Sequence, residues 1–268
     1  MLIPVADPED PRLAAFMGLR DHVVRQHEEQ PGGQWAGSFM AEGDLVIERG
    51  LRAGHTLRSV LVDGRRPAPG CIPDDIAVFA ADSTVLSAVA GRTKLRDAIA
   101  CFARPHLPTA EAVLNGARAV AVLENVNNPN NMGVIMRCAA GLGIDAVLLD
   151  PSCCDPFYRR AIRASMGEAF AIPHARLDAF PLGLETVTAA GVRILAMTPG
   201  PSASALSEVQ LDADEPIGIL LGAEGPGLTE TTLAATSEHV AIPMAASVDS
   251  LNVAAAAAIA FHAVGVGR

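Results

Sequence analysis

Three loops of this 268-residue chain concentrate polar residues and glycines directly after short apolar runs. The first, residues 124–133, contains five asparagines ahead of a helical pattern. The second, residues 221–228, places three glycines around the carboxylate of Glu224. The third, residues 242–253, runs through a polar turn into an alanine-rich stretch. Glycines at such spacing indicate tight turning or a close approach of backbone to a ligand, so the loops predict a binding site.

Each loop also has an explanation that involves no ligand. Asparagine at a helix start is commonly an N-cap, and Ser250 is placed to cap the alanine-rich helix. Arg137 lies about 200° around its helix from the apolar stripe, as a solvated surface arginine also would. The second loop is not GxGxxG, and Pro226 removes an amide that a phosphate cradle would use, so a dinucleotide site is weakly supported. The asparagine cluster as a whole exceeds what capping requires.

The three loops lie within a regular alternation of strand and helix patterns. Four continuous apolar runs are typical of strands buried on both faces, at 119–123, 146–149, 194–197 and 217–221. Helical patterns alternate with them at 132–142, 184–190 and 229–235. This order predicts an α/β fold whose mostly parallel, doubly wound sheet has helices on both faces. Ligands of such sheets bind at the carboxyl ends of the strands, where the three loops follow.

The first part of the chain predicts a separate, small α/β domain. Strand patterns occur at 39–41, 57–62, 76–80 and 99–103, and helical ones at 45–53 and 84–90. The stretch 104–108 has two prolines in five residues, which neither a helix interior nor a central strand accommodates. The predicted domains are therefore residues 1–107 and 108–268.

Composition excludes several classes of protein. The chain is 50% hydrophobic and 19% charged, as in a soluble globular protein, so disorder, collagen and coiled coil are excluded. No apolar run is long enough for a membrane span, and the acidic start lacks a secretory pattern, so we expect a cytoplasmic protein. Five cysteines without CxxC, and histidines without ligand spacing, predict neither a disulfide framework nor a metal. The net charge of −10 argues against nonspecific coating of nucleic acid but permits a local basic patch.

Residues 131–137, 222–228 and 242–252 resemble, in order and spacing, the three motifs of the SpoU (TrmH-type) RNA 2′-O-ribose methyltransferases of the SPOUT superfamily. Residues 162–167 are also similar to the family, and 39–43 resemble the start of its ribosomal-protein-like domain. The resemblance implies a C-terminal domain with a deep trefoil knot and an N-terminal domain that binds the RNA substrate. Candidates for a basic patch toward RNA are Arg49, Arg52, Arg58, Arg65, Arg66, Arg159, Arg160 and Arg163.

The resemblance also implies a cofactor and a set of site residues. S-adenosylmethionine is the implied cofactor, and the residues expected to line its pocket are Thr198, Gly222, Ile242, Met244 and Leu251. Glycine would admit the ligand close to backbone, and Ile242 and Met244 would offer an apolar surface to a flat base. The central catalytic role falls on Arg137, and the residues that shape the site and bind the target phosphate are Asn131, Glu224, Ser250 and Asn252.

The implied reaction is attack of a ribose 2′-hydroxyl of RNA on the sulfonium methyl, in a homodimer formed across the knot, with rRNA favoured over tRNA. A guanidinium normally stays protonated, so stabilising charge is an easier role for Arg137 than acting as a base, and both stay open. Two positions depart from the family pattern, Ala246 for a frequent glycine and Ala254 for a common serine. The alternatives are a catalytically inactive RNA-binding paralogue and a nicotinamide-dependent oxidoreductase, which only the doubly wound pattern supports.

Overall fold

The computed structural model describes residues 1–19, 29, 32–200, 202–212, 214–245 and 249–265. The chain divides into two compact units. The first comprises Met1–His106 and Phe157–Phe170, and the second comprises Leu107–Pro156 and Ala171–Arg268. The segment Phe157–Phe170 therefore lies in the second domain predicted from the sequence but in the first unit by its contacts.

The first unit is built on a five-stranded mixed sheet with the strand order β1-β4-β3-β5-β2. Its strands are β1 (Leu2–Val5), β2 (Ser38–Glu42), β3 (Leu57–Asp63), β4 (Ala77–Ala81) and β5 (Ile99–Ala103). β4 is parallel to β1 and β3, whereas β5 is antiparallel to β2 and β3. The four predicted strands are confirmed. β1 was not predicted, and it holds Pro4 at the sheet edge, where a missing N–H is tolerated.

The second unit is built on a seven-stranded sheet with the order β10-β12-β9-β11-β6-β7-β8, and every described pairing in it is parallel. Its strands are β6 (Ala119–Leu123), β7 (Ala146–Leu149), β8 (His174–Arg176), β9 (Arg193–Met197), β10 (Ser204–Ala205), β11 (Ile217–Leu221) and β12 (His239–Ala241). The predicted parallel sheet is confirmed. β8 and β10 were missed because runs of three and two residues are too short to show a period.

Eight α-helices lie within the described residues: α1 (Asp44–Arg52), α2 (Ser83–Ala90), α3 (Ala110–Leu114), α4 (Pro129–Gly141), α5 (Arg159–Ala164), α6 (Leu184–Ala189), α7 (Glu230–Ala234) and α8 (Val253–Val264). α4 begins three residues before the predicted start at Met132. The reason is Pro129, whose fixed φ and missing N–H suit the first turn of a helix.

An aromatic cluster in the first unit joins the segment Phe157–Phe170 to β2. Phe157 lies 5.0 Å and Phe170 lies 5.7 Å from Phe39, measured between ring centroids. Ile162 of α5 is fully buried in the same core. Burial of these large apolar side chains holds both ends and the middle of the segment against the sheet.

Both faces of the parallel sheet are covered. Val120 and Val122 of β6 pack into a core shared with α3 and α6. Ala121 and Leu123 alternate with them, point to the opposite face and are equally buried. On that second face α4 packs against α8, and α8 contacts β11. Among the helices described, α8 included, none has the length and apolar character needed to cross a bilayer.

Candidate active site

A cavity of about 400 Å³ opens at the carboxyl ends of three neighbouring strands of the second unit, β12, β9 and β11. Its walls come from residues 197–200 and 221–228 and from eight further residues, which are Leu233, Val240, Ala241, Ile242, Met244, Ser250, Leu251 and Val253, together with Ala256 in the first turn of α8. Cavities of roughly 300–1,000 Å³ at this edge of a parallel sheet commonly hold small molecules. The second and third loops singled out in the sequence therefore form one concave site.

The five residues predicted to contact the cofactor all line this cavity, and they are Thr198, Gly222, Ile242, Met244 and Leu251. Ile242 and Met244 are half-buried, and Leu251 is 38% exposed. Partly exposed apolar side chains inside a concave wall leave surface that an apolar part of a ligand can cover. The cavity thus offers an apolar patch beside backbone-rich loops.

Neighbouring protein backbone requires a glycine at position 222, independently of any contact with a ligand. A Cβ at Gly222 would lie 2.2 Å from the carbonyl carbon of Gly227 and 2.3 Å from the amide nitrogen of Leu228. The loop folds back through hydrogen bonds of 3.2 and 3.0 Å between Ala223 and Gly227. A Gly222→Val substitution would therefore displace the loop as well as impair the cavity.

Three of the predicted catalytic residues, from three distant segments, form one hydrogen-bonded network. Asn131 Nδ2 donates to Glu224 Oε2 at 2.8 Å, and Asn252 Nδ2 donates to Glu224 Oε1 at 3.0 Å. Asn252 Nδ2 also lies 3.1 Å from Asn131 Oδ1. Asn131 is buried, whereas Glu224 is exposed and lines the cavity. The two amides therefore hold a solvent-accessible carboxylate in one orientation without neutralising its charge.

The structure shows which asparagines cap a helix and which join the network, and Asn252 does both. Asn128 caps α4, because its Oδ1 accepts a hydrogen bond of 2.9 Å from the Asn130 N–H. Asn131 is one turn further along and has its side chain available for Glu224. Asn252 caps α8 through its Oδ1, which accepts from the Ala254 N–H at 2.9 Å. The capping explanation for Ser250 is therefore wrong, and Ser250 instead lines the cavity.

Arg137 is exposed on α4 and does not join the Glu224 network. It makes no hydrogen bond or ion pair with any residue that the structure describes. Its helix face also carries Asn130, Val134 and Gly141, which are all exposed and spaced three or four residues apart. The guanidinium of Arg137 is thus a charge with no carboxylate partner among the described residues.

The two departures from the family pattern differ in their position. Ala246 lies outside the described residues. Ala254 is buried in α8 and is not part of the cavity wall, so a missing hydroxyl at this position leaves the wall unchanged.

Within the described ranges, no three His, Cys, Asp or Glu side chains are grouped as metal ligands.

Cys153 holds the first loop in place through two hydrogen bonds of its thiol. Its thiol donates to the Leu123 carbonyl and accepts from the Val126 N–H, both at 3.3 Å. Burial raises the pKa of the Cys153 thiol far above its usual range, and burial likewise raises the pKa of Cys154 to about 12. Neither cysteine is in a disulfide, and both thiols are neutral at physiological pH. The role of Cys153 is therefore structural.

Glu124 is a positioning residue that sequence reasoning missed. Its buried carboxylate accepts hydrogen bonds from the Thr229 N–H at 3.0 Å, from Thr229 Oγ1 at 2.7 Å and from Thr232 Oγ1 at 2.8 Å. These bonds join the end of β6 to the start of α7, directly after the second loop. An acidic residue immediately following a buried strand was the available signal, because a buried carboxylate requires partners.

We expect Glu124→Ala to lower the free energy of unfolding by about 1–3 kcal/mol, because it leaves the Thr229 and Thr232 donors without their acceptor. Glu124→Gln should cost less, since one oxygen remains to accept. Urea denaturation followed by circular dichroism measures both variants. Glu230→Gln, an exposed change on α7, is the matched control, and equal stability of Glu124→Ala and this control would contradict the positioning role.

Comparison with known proteins identifies the family. Residues 118–262 match the model of the SpoU rRNA Methylase family. The chain is 42% identical over 264 residues to an uncharacterized tRNA/rRNA methyltransferase of Mycobacterium tuberculosis, across 96% of this chain and 90% of that protein. It is 29% identical to the 23S rRNA (guanosine(2553)-2'-O)-methyltransferase RlmP of Bacillus subtilis, across 83% and 86% of the two chains. The fold is similar to that of an AdoMet-bound rRNA methyltransferase from Sinorhizobium meliloti, with a TM-score of 0.80, 24% identity, and coverage of 98% of this chain and 97% of that one. This chain belongs to the SpoU rRNA methylase family.

Proposed function

We propose that this protein transfers a methyl group from S-adenosylmethionine to a ribose 2′-hydroxyl of RNA, with rRNA as the favoured substrate. The observation that carries the proposal is the cavity at the carboxyl ends of β9, β11 and β12, with the carboxylate of Glu224 held in its wall by Asn131 and Asn252. Family membership and the relative named as a 23S rRNA 2'-O-methyltransferase support the reaction type and the RNA class.

The cavity fits the proposed cofactor in size and in chemistry. Ile242, Met244 and Leu251 offer apolar surface to the adenine ring, and the backbone of residues 197–200 and 222–228 offers N–H and C=O groups to its polar edges. When bound, S-adenosylmethionine supplies a methyl group already activated by its sulfonium. Transfer of that methyl breaks the S–CH3 bond, forms an O–CH3 bond and releases S-adenosylhomocysteine and the hydroxyl proton. The protein therefore has to orient the ribose hydroxyl, to stabilise the charge that develops on its oxygen and to let its proton pass to solvent.

We assign orientation to the Glu224 network and charge stabilisation to Arg137. The carboxylate of Glu224 has two neutral amides as its partners, and it can accept a further hydrogen bond from a substrate hydroxyl. A guanidinium without a carboxylate partner is available to a phosphate or a developing alkoxide. These roles need no deprotonation of Arg137, which a guanidinium resists.

A homodimer and a deep trefoil knot, both implied by the family resemblance, are part of the proposal, as are the RNA-binding role of residues 1–107 and the cytoplasmic location. The dimer has support in two exposed apolar side chains on the adjacent helices α4 and α8. Val134 is 38% exposed and Ile259 is 44% exposed. Arg137 lies one turn beyond Val134 on the same exposed face, so a partner subunit seated there would cover the neighbourhood of Arg137.

Analytical ultracentrifugation should find a dimer at micromolar concentration, and Ile259→Glu should shift it toward monomer, because a charge would be buried in the proposed interface. Methylation should fall with dimer content. Leu182→Glu introduces the same charge at an exposed leucine outside α4 and α8 and is the matched control. A fully active monomer would contradict the dimer.

Two measurements test the proposed reaction and separate it from its alternatives. Calorimetric titration with S-adenosylmethionine should show saturable binding, whereas a nicotinamide-dependent oxidoreductase would bind NAD instead. Incubation with labelled cofactor and total RNA from a strain lacking this gene should transfer label to ribose 2′-oxygens. Cofactor or RNA binding without transfer of label would favour the inactive paralogue. Mapping of 2′-O-methyl sites in the deletion strain would then identify the nucleotide.

A further inference from the structure

The first unit carries an arginine-lined cavity that the proposed methyl-transfer site does not use. It encloses about 340 Å³. Four arginines and one glutamate supply its charged walls, and they are Arg92, Arg159, Arg160, Arg163 and Glu42. The remaining lining residues, Leu19, Ala90 and Gly91, carry no charge.

The described residues that line this cavity carry more positive than negative charge. Glu42 is buried and lies 3.0 Å from Arg92, 3.6 Å from Arg159 and 3.8 Å from Arg163. Arg160 makes no ion pair with any described residue. Glu29 is a second carboxylate close enough to act on Arg159. Among the residues that the structure describes, four guanidiniums and one carboxylate line the cavity, and Glu29 acts on Arg159 as a second carboxylate.

The positive charge of Arg159 lies in a poorly solvated position. Its side chain is only 15% exposed, and its Nη2 donates to the Leu19 carbonyl at 2.9 Å. Burial lowers the pKa of Arg159, although the nearby Glu42 opposes this shift. The single carboxylate of Glu42 is shared among three arginines, so the guanidinium keeps donors free for an anion.

The packing of α5 holds the arginines in place. Ala161 and Ile162 are fully buried against the first unit's core, and Phe157 and Phe170 anchor the chain on either side. Arg159 and Arg163 are four residues apart and share one face of the helix. The guanidiniums are thus presented by a rigid element, which lowers the entropic cost of binding a ligand.

We propose that this cavity binds a phosphate group of the RNA backbone. Forked guanidinium donors match the oxygens of a phosphate, and a cavity with excess positive charge inside an otherwise acidic protein would attract RNA locally. The proposal rests on the proposed RNA substrate and adds to it a defined contact in the first unit. It also explains how a chain with a net charge of −10 engages a polyanion.

The test compares two double variants with equal loss of charge. Arg160→Ala with Arg163→Ala removes two exposed arginines of the cavity, and Arg12→Ala with Arg96→Ala removes two exposed arginines of the same unit outside it. Filter binding of total rRNA from the deletion strain is measured over a series of KCl concentrations. The cavity variant should lose about 10-fold in affinity, and its slope of log K against log salt should become shallower by about 0.7–0.9, which is the contribution of one lost phosphate contact.

Wild-type affinity and slope in the cavity variant, or an equal loss in the Arg12 and Arg96 control, would overturn the proposal. Titration with inorganic phosphate tests whether the cavity binds a free anion and not the RNA backbone. If the cavity variant loses phosphate binding but keeps its RNA affinity, the cavity is a free-anion site. Arg160→Lys, with Arg163 unchanged, keeps the charge but loses the forked donors, so its RNA affinity should lie between those of the wild type and the cavity variant. Thermal unfolding of each variant checks the fold. Failure of the wild type to bind S-adenosylmethionine or to methylate RNA would defeat the proposed reaction, while the RNA affinities would still decide the role of the cavity.

Discussion

Replacing Arg137 with alanine is expected to lower the single-turnover rate of RNA methylation by about 10²-fold or more and to leave the affinity for S-adenosylmethionine unchanged. The reason is that Arg137 is an exposed cation without a carboxylate partner in the described part of the chain, so its charge is available to the substrate. A merely solvated arginine would change stability by no more than about 0.5 kcal/mol and would leave the rate near that of the wild type.

The conservative variant Arg137→Lys should also be slow, because lysine keeps the charge but loses the planar, forked donors. Arg118→Ala is the matched control, since it removes an exposed arginine of the same unit at the opposite, amino end of β6. Wild-type rates in both Arg137 variants would exclude the catalytic role of this residue and leave the family assignment intact.

Replacing Asn252 with aspartate is expected to reduce the methylation rate by about 10²-fold at neutral pH, because it breaks the network while preserving the cap of α8. Aspartate is as good an N-cap as asparagine, so the hydrogen bond to the Ala254 N–H is kept. The new carboxylate, however, would stand about where Nδ2 now lies, 3.0 Å from Glu224 Oε1. Two carboxylates at that distance repel each other unless they share a proton.

The rate of the Asn252→Asp variant, relative to the wild type at the same pH, should therefore recover as the pH is lowered and the pair takes up a proton. Asn252→Ser separates the two effects, since serine caps the helix without adding a charge and should give an intermediate, pH-independent loss. Thermal unfolding of all three proteins checks that the cap is intact. A rate for Asn252→Asp equal to that of the wild type at neutral pH would show that the network has no part in catalysis.

Much of the second unit's fold was predictable from local patterns, and so was the edge at which the site lies. Strands buried on both faces must be apolar at every position. The runs at Ala119–Leu123 and Ile217–Leu221 were therefore recognisable as buried strands from the sequence. The five expected cofactor contacts were carried onto the sequence from a family resemblance, and all of them line one cavity. Short strands such as β8 and β10 lacked the length for a period and were not predictable in this way.

By itself, the sequence determined the parallel sheet, the family and the loops that carry the site, because each of these follows from residue type and spacing along a few adjacent residues. The tertiary structure alone decided what individual side chains do. The network joins Asn131 to Glu224 across 93 residues and to Asn252 across 121, and the partners of Glu124 lie 105 and 108 residues away. The tertiary structure likewise showed that Gly222 is required by the backbone of Gly227 and that α5 belongs to the first unit. The physical reason is that hydrogen bonds and steric contacts depend on distances of a few ångströms between segments far apart in the chain, and only the folded packing sets those distances.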